Sequence, residues 1–257
     1  MRRFEGRHVA ITGAGTGIGR AVALRVAAEG GSVSLFGRRE APLQEVAAEV
    51  EAQGGGVFWR SADVRDAAAL GAGLDAGVAA LGPLHAFVAN AGVGGPNRPG
   101  PADRFDEIIG INLAGTYHSL RAAQARLAVG RTTHLLSVAS VLGRIGVPGY
   151  TAYCAAKAGI LGLTRALAAE LAGRDVQVNA ICPGWVDTEM AQEGLTLMAR
   201  ARKTSFEALR EEELARVPLR RMNTPEEIAG VVAWLISDDG RGVTGQGIDV
   251  NGGAWMG

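Results

Sequence analysis

"VAITGAGTGIGRAVA", residues 9–23, sets Gly13, Gly17 and Gly19 between a short apolar run and a helical stretch of small residues. Glycine lets the chain turn tightly there. It also lets a pyrophosphate reach the free N–H groups and positive dipole end of the following helix. Any tight strand-to-helix turn can use glycine, so the loop gains meaning only from its place after the first strand of an alternating chain. Its spacing is T-G-x-x-x-G-x-G rather than G-x-G-x-x-G, and it contains no G-K-[ST]. That excludes a triphosphate loop and points to a dinucleotide, with Gly13, Gly15, Thr16, Gly17, Ile18 and Gly19 as candidate contacts.

Outward from this loop, apolar runs recur in "HVAITG", "SVSLFG", "GVFWRS", "HAFVAN", "THLLSV" and "VQVNAI", separated by longer Ala- and Leu-rich stretches with helical spacing. Such alternation predicts an α/β chain with a parallel sheet covered by helices on both faces. With 257 residues, 47% of them hydrophobic, the chain can bury a large core as one domain, although length alone also permits two. After "CPGWVDTEM" the rhythm breaks into a charge-dense stretch whose helical faces suit a place outside the sheet. "TPEEIAGVVAWLISD" then reads as a capped helix, with Thr224 at the N-cap, Pro225 at the first helical position and Glu227 at the third. "GQGIDVNGG" reads as a closing strand.

The formal net charge is zero and no basic run is interleaved with aromatics, which argues against a nucleic-acid partner. Apolar stretches end well short of the roughly 20 residues that span a bilayer, and the start has no apolar export region, so no membrane association is expected. Cys154 and Cys182 are the only cysteines and read as free thiols of a reducing compartment, here the cytoplasm.

About 20 residues beyond a dinucleotide loop, an acidic side chain can bond the ribose hydroxyls of NAD. This chain has "SLFGRRE", with Gly37 where the acid would stand, followed by Arg38 and Arg39. Guanidinium forks suit a 2′-phosphate, so NADP(H) is favoured over NAD(H). The competing reading is two solvated arginines beside Glu40.

Only Lys157 and Lys203 are lysines among 26 basic residues. In "YTAYCAAKAG", residues 150–159, Tyr153 and Lys157 stand four apart and share one helix face. A nearby ammonium lowers a phenol's pKa toward the range useful for acid–base work. "SVAS" puts Ser140 at the end of an apolar strand, where a hydroxyl can bond a substrate carbonyl. "VANAG" puts Asn90 and Gly92 at another strand end, and "INLAG" sets Asn112 in a helical pattern where a buried amide needs partners and can hold a water. Taken singly, these read better as a cap, a turn residue and a satisfied core amide.

Taken together and in order, "TGAGTGIG", "ADV", "NAG", "INLAG", "SVAS", "YTAYCAAK" and "NAICPGWVDTEM" resemble the short-chain dehydrogenase/reductase family over essentially the whole chain. The resemblance implies a single-domain Rossmann-type doubly wound sheet spanning 1–257, residues 188–217 forming a substrate lid, and a homotetramer or homodimer. It implies Tyr153 as the acid in ketone reduction and the base in alcohol oxidation, and Ser140 as the group orienting the substrate oxygen. Lys157 would bind the nicotinamide ribose and lower the Tyr153 pKa, and Asn112 would hold a relay water. Asp63 and Val64 are implied at the adenine, Asn90 and Gly92 near the adenosine ribose, and Pro183, Gly184, Val186 and Thr188 at the nicotinamide and pyrophosphate. Ala89 departs from the N-N-A-G common in the family. Cys154 and Cys182 match no catalytic position and read as packing.

By the same resemblance the substrate is a small-molecule ketone or secondary alcohol, with 3-oxoacyl thioesters and polyketide-type ketones foremost. An NAD-linked secondary-alcohol or 3-hydroxyacid dehydrogenase is the alternative, and a non-catalytic dinucleotide-binding regulator is the reading from another class. The basic "MARARK" of the lid suits a phosphate-bearing substrate or a solvated helix face.

Overall fold

In the computed structural model, which describes residues 2–257, β1 (His8–Thr12), α1 (Gly17–Ala28), β2 (Ser32–Gly37), α2 (Glu40–Ala52), β3 (Val57–Ser61) and α3 (Ala67–Leu81) alternate. There follow β4 (Ala86–Ala89), α4 (Phe105–Ile109), a π-helical turn (Gly110–Ala114), α5 (Gly115–Gln124), β5 (Thr133–Val138) and α6 (Thr151–Leu171). β6 (Val176–Pro183), α7 (Glu189–Arg202), α8 (Phe206–Ala215), α9 (Pro225–Leu235) and β7 (Gly247–Val250) complete the order.

The seven strands form one parallel sheet in the order β3-β2-β1-β4-β5-β6-β7. Every residue of β1, β4, β5 and β6 is buried, which explains why those strands read as apolar runs rather than alternations. On one face, Val22 and Val26 of α1, Leu43 and Val46 of α2, and Ile228 and Val232 of α9 pack on the strands. On the other, Leu70 and Leu74 of α3, Leu120 of α5, and Leu167 and Leu171 of α6 do the same. β1 neighbours both β2 and β4, so strand order reverses there and opens a crevice at the carboxyl ends of the strands.

The charge-dense stretch becomes α7 and α8, which close a small core of their own around Leu195, Ala199, Leu209 and Leu214. Their charges face outward and pair, Arg202 with Glu212 and Glu213, and Arg216 with the same two. The helical stretch around "INLAG" is not one regular helix. The π turn widens it at Gly110–Ala114, and the Thr116 hydroxyl donates to the Asn112 carbonyl at 2.7 Å. No described helix is long and apolar enough to cross a membrane.

The capping box of α9 is complete: Thr224 Oγ1 accepts the Glu227 N–H at 3.2 Å, and Glu227 Oε2 accepts the Thr224 N–H at 2.8 Å. Thr224→Ala is expected to cost about 1 kcal/mol of stability. Urea unfolding checks this as a lowered midpoint at unchanged slope.

Candidate active site

The crevice is built on one close approach. Gly13 turns with φ +64°, and a β-carbon on Gly19 would stand 2.2 Å from the Gly13 carbonyl oxygen. No side chain fits between the loop and the start of α1. Asn90, at the end of β4, holds the turn from the other side: its Nδ2 donates to the Thr12 and Gly13 carbonyls at 3.0 Å each. Thr12 Oγ1 accepts the N–H groups of Asn90 and Ala91. The N-cap Thr16 makes no side-chain cap, so the first N–H groups of α1 face the crevice unspent.

Gly13, Gly15, Thr16, Gly17, Ile18, Arg38, Arg39, Asp63, Val64, Asn90, Gly92 and Thr188 line a cleft of about 630 Å³ along this edge. Gly19 lies beneath the loop. Pro183 and Val186 also stay behind the surface, with half-buried Gly184 between them: Pro183 pairs with Val250, Gly184 donates to the Val250 carbonyl, and Val186 is buried beside Asn223. Thr188 carries their segment to the glycine loop, where a β-carbon on Gly17 would meet its methyl at 3.0 Å. Met190, Leu197 and Ile111 add an apolar wall. Ile111 and Met190 stand in the quoted motifs "INLAG" and "NAICPGWVDTEM" without having been singled out, and the apolar spacing of α7 was the only signal for Leu197.

The two arginines differ. Arg39 leans across the cleft to Glu189, 3.7 Å away, while Arg38 is exposed and has no ion-pair partner among the described residues. Asp63 is engaged by Arg65, whose Nε reaches both carboxylate oxygens at 3.1 Å and whose Nη2 reaches Oδ2 at 2.6 Å. The hydrogen bonds from Arg65 hold the Asp63 carboxyl below its usual range. Sequence reading passed over Arg65, although it stands two residues beyond Asp63.

Where the cleft meets α6, a β-carbon on Gly92 would stand 3.1 Å from Asn112 Oδ1 and 3.8 Å from Lys157 Nζ. Lys157 is 5% exposed, donates to the Val138 carbonyl at 2.7 Å, and lies 5.5 Å from the Tyr153 ring centre. Ser140 Oγ accepts the Leu142 N–H at 3.1 Å and so opens a short 3₁₀ turn, Val141–Gly143. A β-carbon on Gly143 would strike the Lys157 carbonyl at 2.9 Å, so this turn rests directly on α6. Arg144 follows it, donating to the Gly247 carbonyl at 2.7 Å and to Asp249, with its guanidinium 4.9 Å from the Trp255 ring centre.

Asn112 Oδ1 accepts the Val93 N–H at 2.8 Å and Nδ2 donates to the Val93 carbonyl at 2.9 Å, so the amide pins that loop. One expectation changes here. The Tyr153 phenol is pushed up to about 12, not down, because burial outweighs a hydrogen bond with Ser140 that lowers it. Burial also pulls Lys157 down to about 8. Cys182 is fully buried in a small core and pushed up to about 11, while half-buried Cys154 is also a free thiol.

Lys157 thus binds its proton more weakly folded than unfolded, where it titrates near 10.4. Between about pH 8 and 10 the unfolded chain holds more protons there, so this group's contribution to stability rises with pH. Lys157→Met is therefore expected to raise the melting temperature at pH 7, with the gain shrinking toward pH 10. Thermal scans of both proteins across that range check the sign.

A family model described as enoyl-(acyl carrier protein) reductase matches residues 13–254. The chain is similar to 2-(S)-hydroxypropyl-CoM dehydrogenase 3 of Xanthobacter autotrophicus, 37% identical over 98% of this chain and 97% of that one. It is also similar to the 3-oxoacyl-[acyl-carrier-protein] reductase FabG of Staphylococcus aureus, 34% identical over 96% and 97%. The solved structure of levodione reductase superposes with a TM-score of 0.89 at 33% identity, covering 98% of each chain. With the glycine crevice and the Ser140, Tyr153 and Lys157 cluster at its mouth, these matches make the chain an oxidoreductase of the short-chain dehydrogenase/reductase family.

Proposed function

We propose that the chain is an NADPH-dependent carbonyl reductase whose ketone is a 3-oxoacyl thioester. The observation that carries this reading is the junction at Gly92, where the dinucleotide cleft opens onto Lys157 and Asn112 beside Tyr153 and Ser140. The cleft suits a dinucleotide: the space a Gly19 side chain would need is taken by backbone, the start of α1 offers free N–H donors, and Arg38 at the rim has no ion-pair partner among the described residues. NADPH, when bound, supplies the hydride.

The protein's own residues handle the oxygen. Ser140 donates a hydrogen bond to the carbonyl, and Tyr153 donates its proton to that oxygen as charge develops. A phenol held near 12 keeps its proton at neutral pH, which suits the reductive direction. Lys157 takes the ribose hydroxyls and passes protons toward Tyr153, a task for a compact ammonium rather than a planar fork. Asn112 keeps Val93 and the cleft wall in place. Pro183, Gly184 and Val186 back the nicotinamide end, and Thr188 starts the α7–α8 lid, residues 188–217. Arg202 spends its charge on Glu212 and Glu213, which leaves Arg200 and Lys203 to meet a thioester's phosphate. A cytoplasmic homodimer or homotetramer belongs to the same reading.

The name of the Xanthobacter relative, a hydroxypropyl-CoM dehydrogenase, favours a second reading, oxidation of a secondary alcohol, for which we take NAD as the acceptor. Loss of reduced-nicotinamide absorbance with NADPH and then NADH, against acetoacetyl-CoA, a bicyclic ketone and an aliphatic ketone, separates the two. Arg38→Ala is expected to raise KM for NADPH by about 10-fold or more and to leave NADH within about two-fold, since a charged hydrogen bond carries about 1.5–3 kcal/mol. Equal loss with both cofactors would remove the 2′-phosphate assignment. Tyr153→Phe is expected to lower kcat by at least about 100-fold while cofactor binding, followed by fluorescence, persists.

A further inference from the structure

We infer that Asn97 is a positioning residue for the reaction, a cap supplied from the cleft wall to the helix that carries Tyr153. The inference rests on the acid–base assignment of Tyr153. α6 begins at Thr151, and its own N-cap residue, Tyr150, makes no side-chain cap. A helix start leaves its first N–H groups without partners, and a side-chain oxygen normally meets one of them. Here the oxygen comes from a residue 55 positions away: Asn97 Oδ1 accepts the Ala152 N–H at 2.9 Å. The same oxygen accepts the Thr151 hydroxyl at 3.1 Å, and the Asn97 N–H donates to the Gly149 carbonyl at 2.8 Å. Ala152 is the residue immediately before Tyr153.

The other end of the amide is also committed. Asn97 Nδ2 donates to Asp103 Oδ1 at 3.1 Å, and that oxygen accepts the Phe105 N–H at the start of α4. Asn97 is 6% exposed, so these groups have little water to fall back on. Its loop, residues 93–104, is pinned at Val93 by Asn112 and at Gly94 by Arg104, and Gly94 and Gly95 line the cleft. One amide therefore ties the wall of the substrate mouth to the first turn of the catalytic helix. The body of α6 is held elsewhere, through Ile160, Leu161, Leu167 and Leu171, so removing the cap loosens the first turn without releasing the helix. A displacement of the phenol by about 1 Å is enough to cost up to 100-fold in rate.

The test uses the full chain with NADPH and whichever ketone of the panel is turned over fastest. Asn97→Ala is expected to lower kcat about 10-fold or more and to leave the NADPH dissociation constant within about two-fold, since Asn97 does not line the dinucleotide cleft. Asn97→Asp alone sets two carboxylates together and is expected to be as slow. Combined with Asp103→Asn, it restores a donor for every acceptor, and kcat is expected to return to within about three-fold of the starting protein. A kcat for Asn97→Ala within two-fold of the parent would overturn the inference. So would a fall in kcat that merely tracks lost cofactor-binding capacity, or an exchange variant as slow as Asn97→Asp. Should Asn97→Ala fail to fold, the exchange pair decides. Tyr153→Phe, assayed alongside, separates the two claims: normal turnover there removes the acid–base reading itself, whereas a dead Tyr153→Phe with a normal Asn97→Ala removes only the cap.

Discussion

Everything in the cleft depends on the contact between the first turn and the start of α1, where the Gly13 carbonyl occupies the place a Gly19 side chain would take. Steric exclusion of this kind leaves little freedom of adjustment, because both partners are backbone. Asn90 then fixes the same turn to β4, so the two strands at the reversal of sheet order share one hydrogen-bonded rim. A flat, rigid edge with unspent N–H groups follows from those constraints.

The opposite wall works by a different physics. Lys157 is buried near the cleft with one carbonyl partner, and the protein bears the cost of desolvating it. Such a group is poorly suited to stabilising the fold and well suited to meeting hydroxyls that arrive from solution. Tyr153, beside it, keeps its proton firmly. The pair is therefore polarised by burial more than by mutual attraction, which is why the ammonium does not pull the phenol down.

Local chemistry made much of this readable in advance. The glycine spacing, the i,i+4 Tyr and Lys, and the Thr224–Glu227 box are short-range patterns whose geometry is set within a turn or two, and each appears where the spacing placed it. Arg38 and Arg39 looked equivalent in sequence and are not, because Glu189 from α7 reaches only one of them. The cap on α6 and the burial that reverses the Tyr153 shift depend on partners far away in the chain. No window of sequence contains them.

The clamp on Arg144 ties the reactive corner to the far end of the chain. Its partners Gly247 and Asp249 lie 103 and 105 positions away, so this anchor on the turn that presents Ser140 forms only once the sheet's outermost strand has docked. Closing so long a loop is entropically slow compared with winding α6 or turning at Gly13. The dinucleotide rim, tied by Asn90 to residues 77 and 78 positions earlier, and the reactive corner, tied by Arg144 to residues 103 and 105 positions later, are both assembled only when distant strands dock.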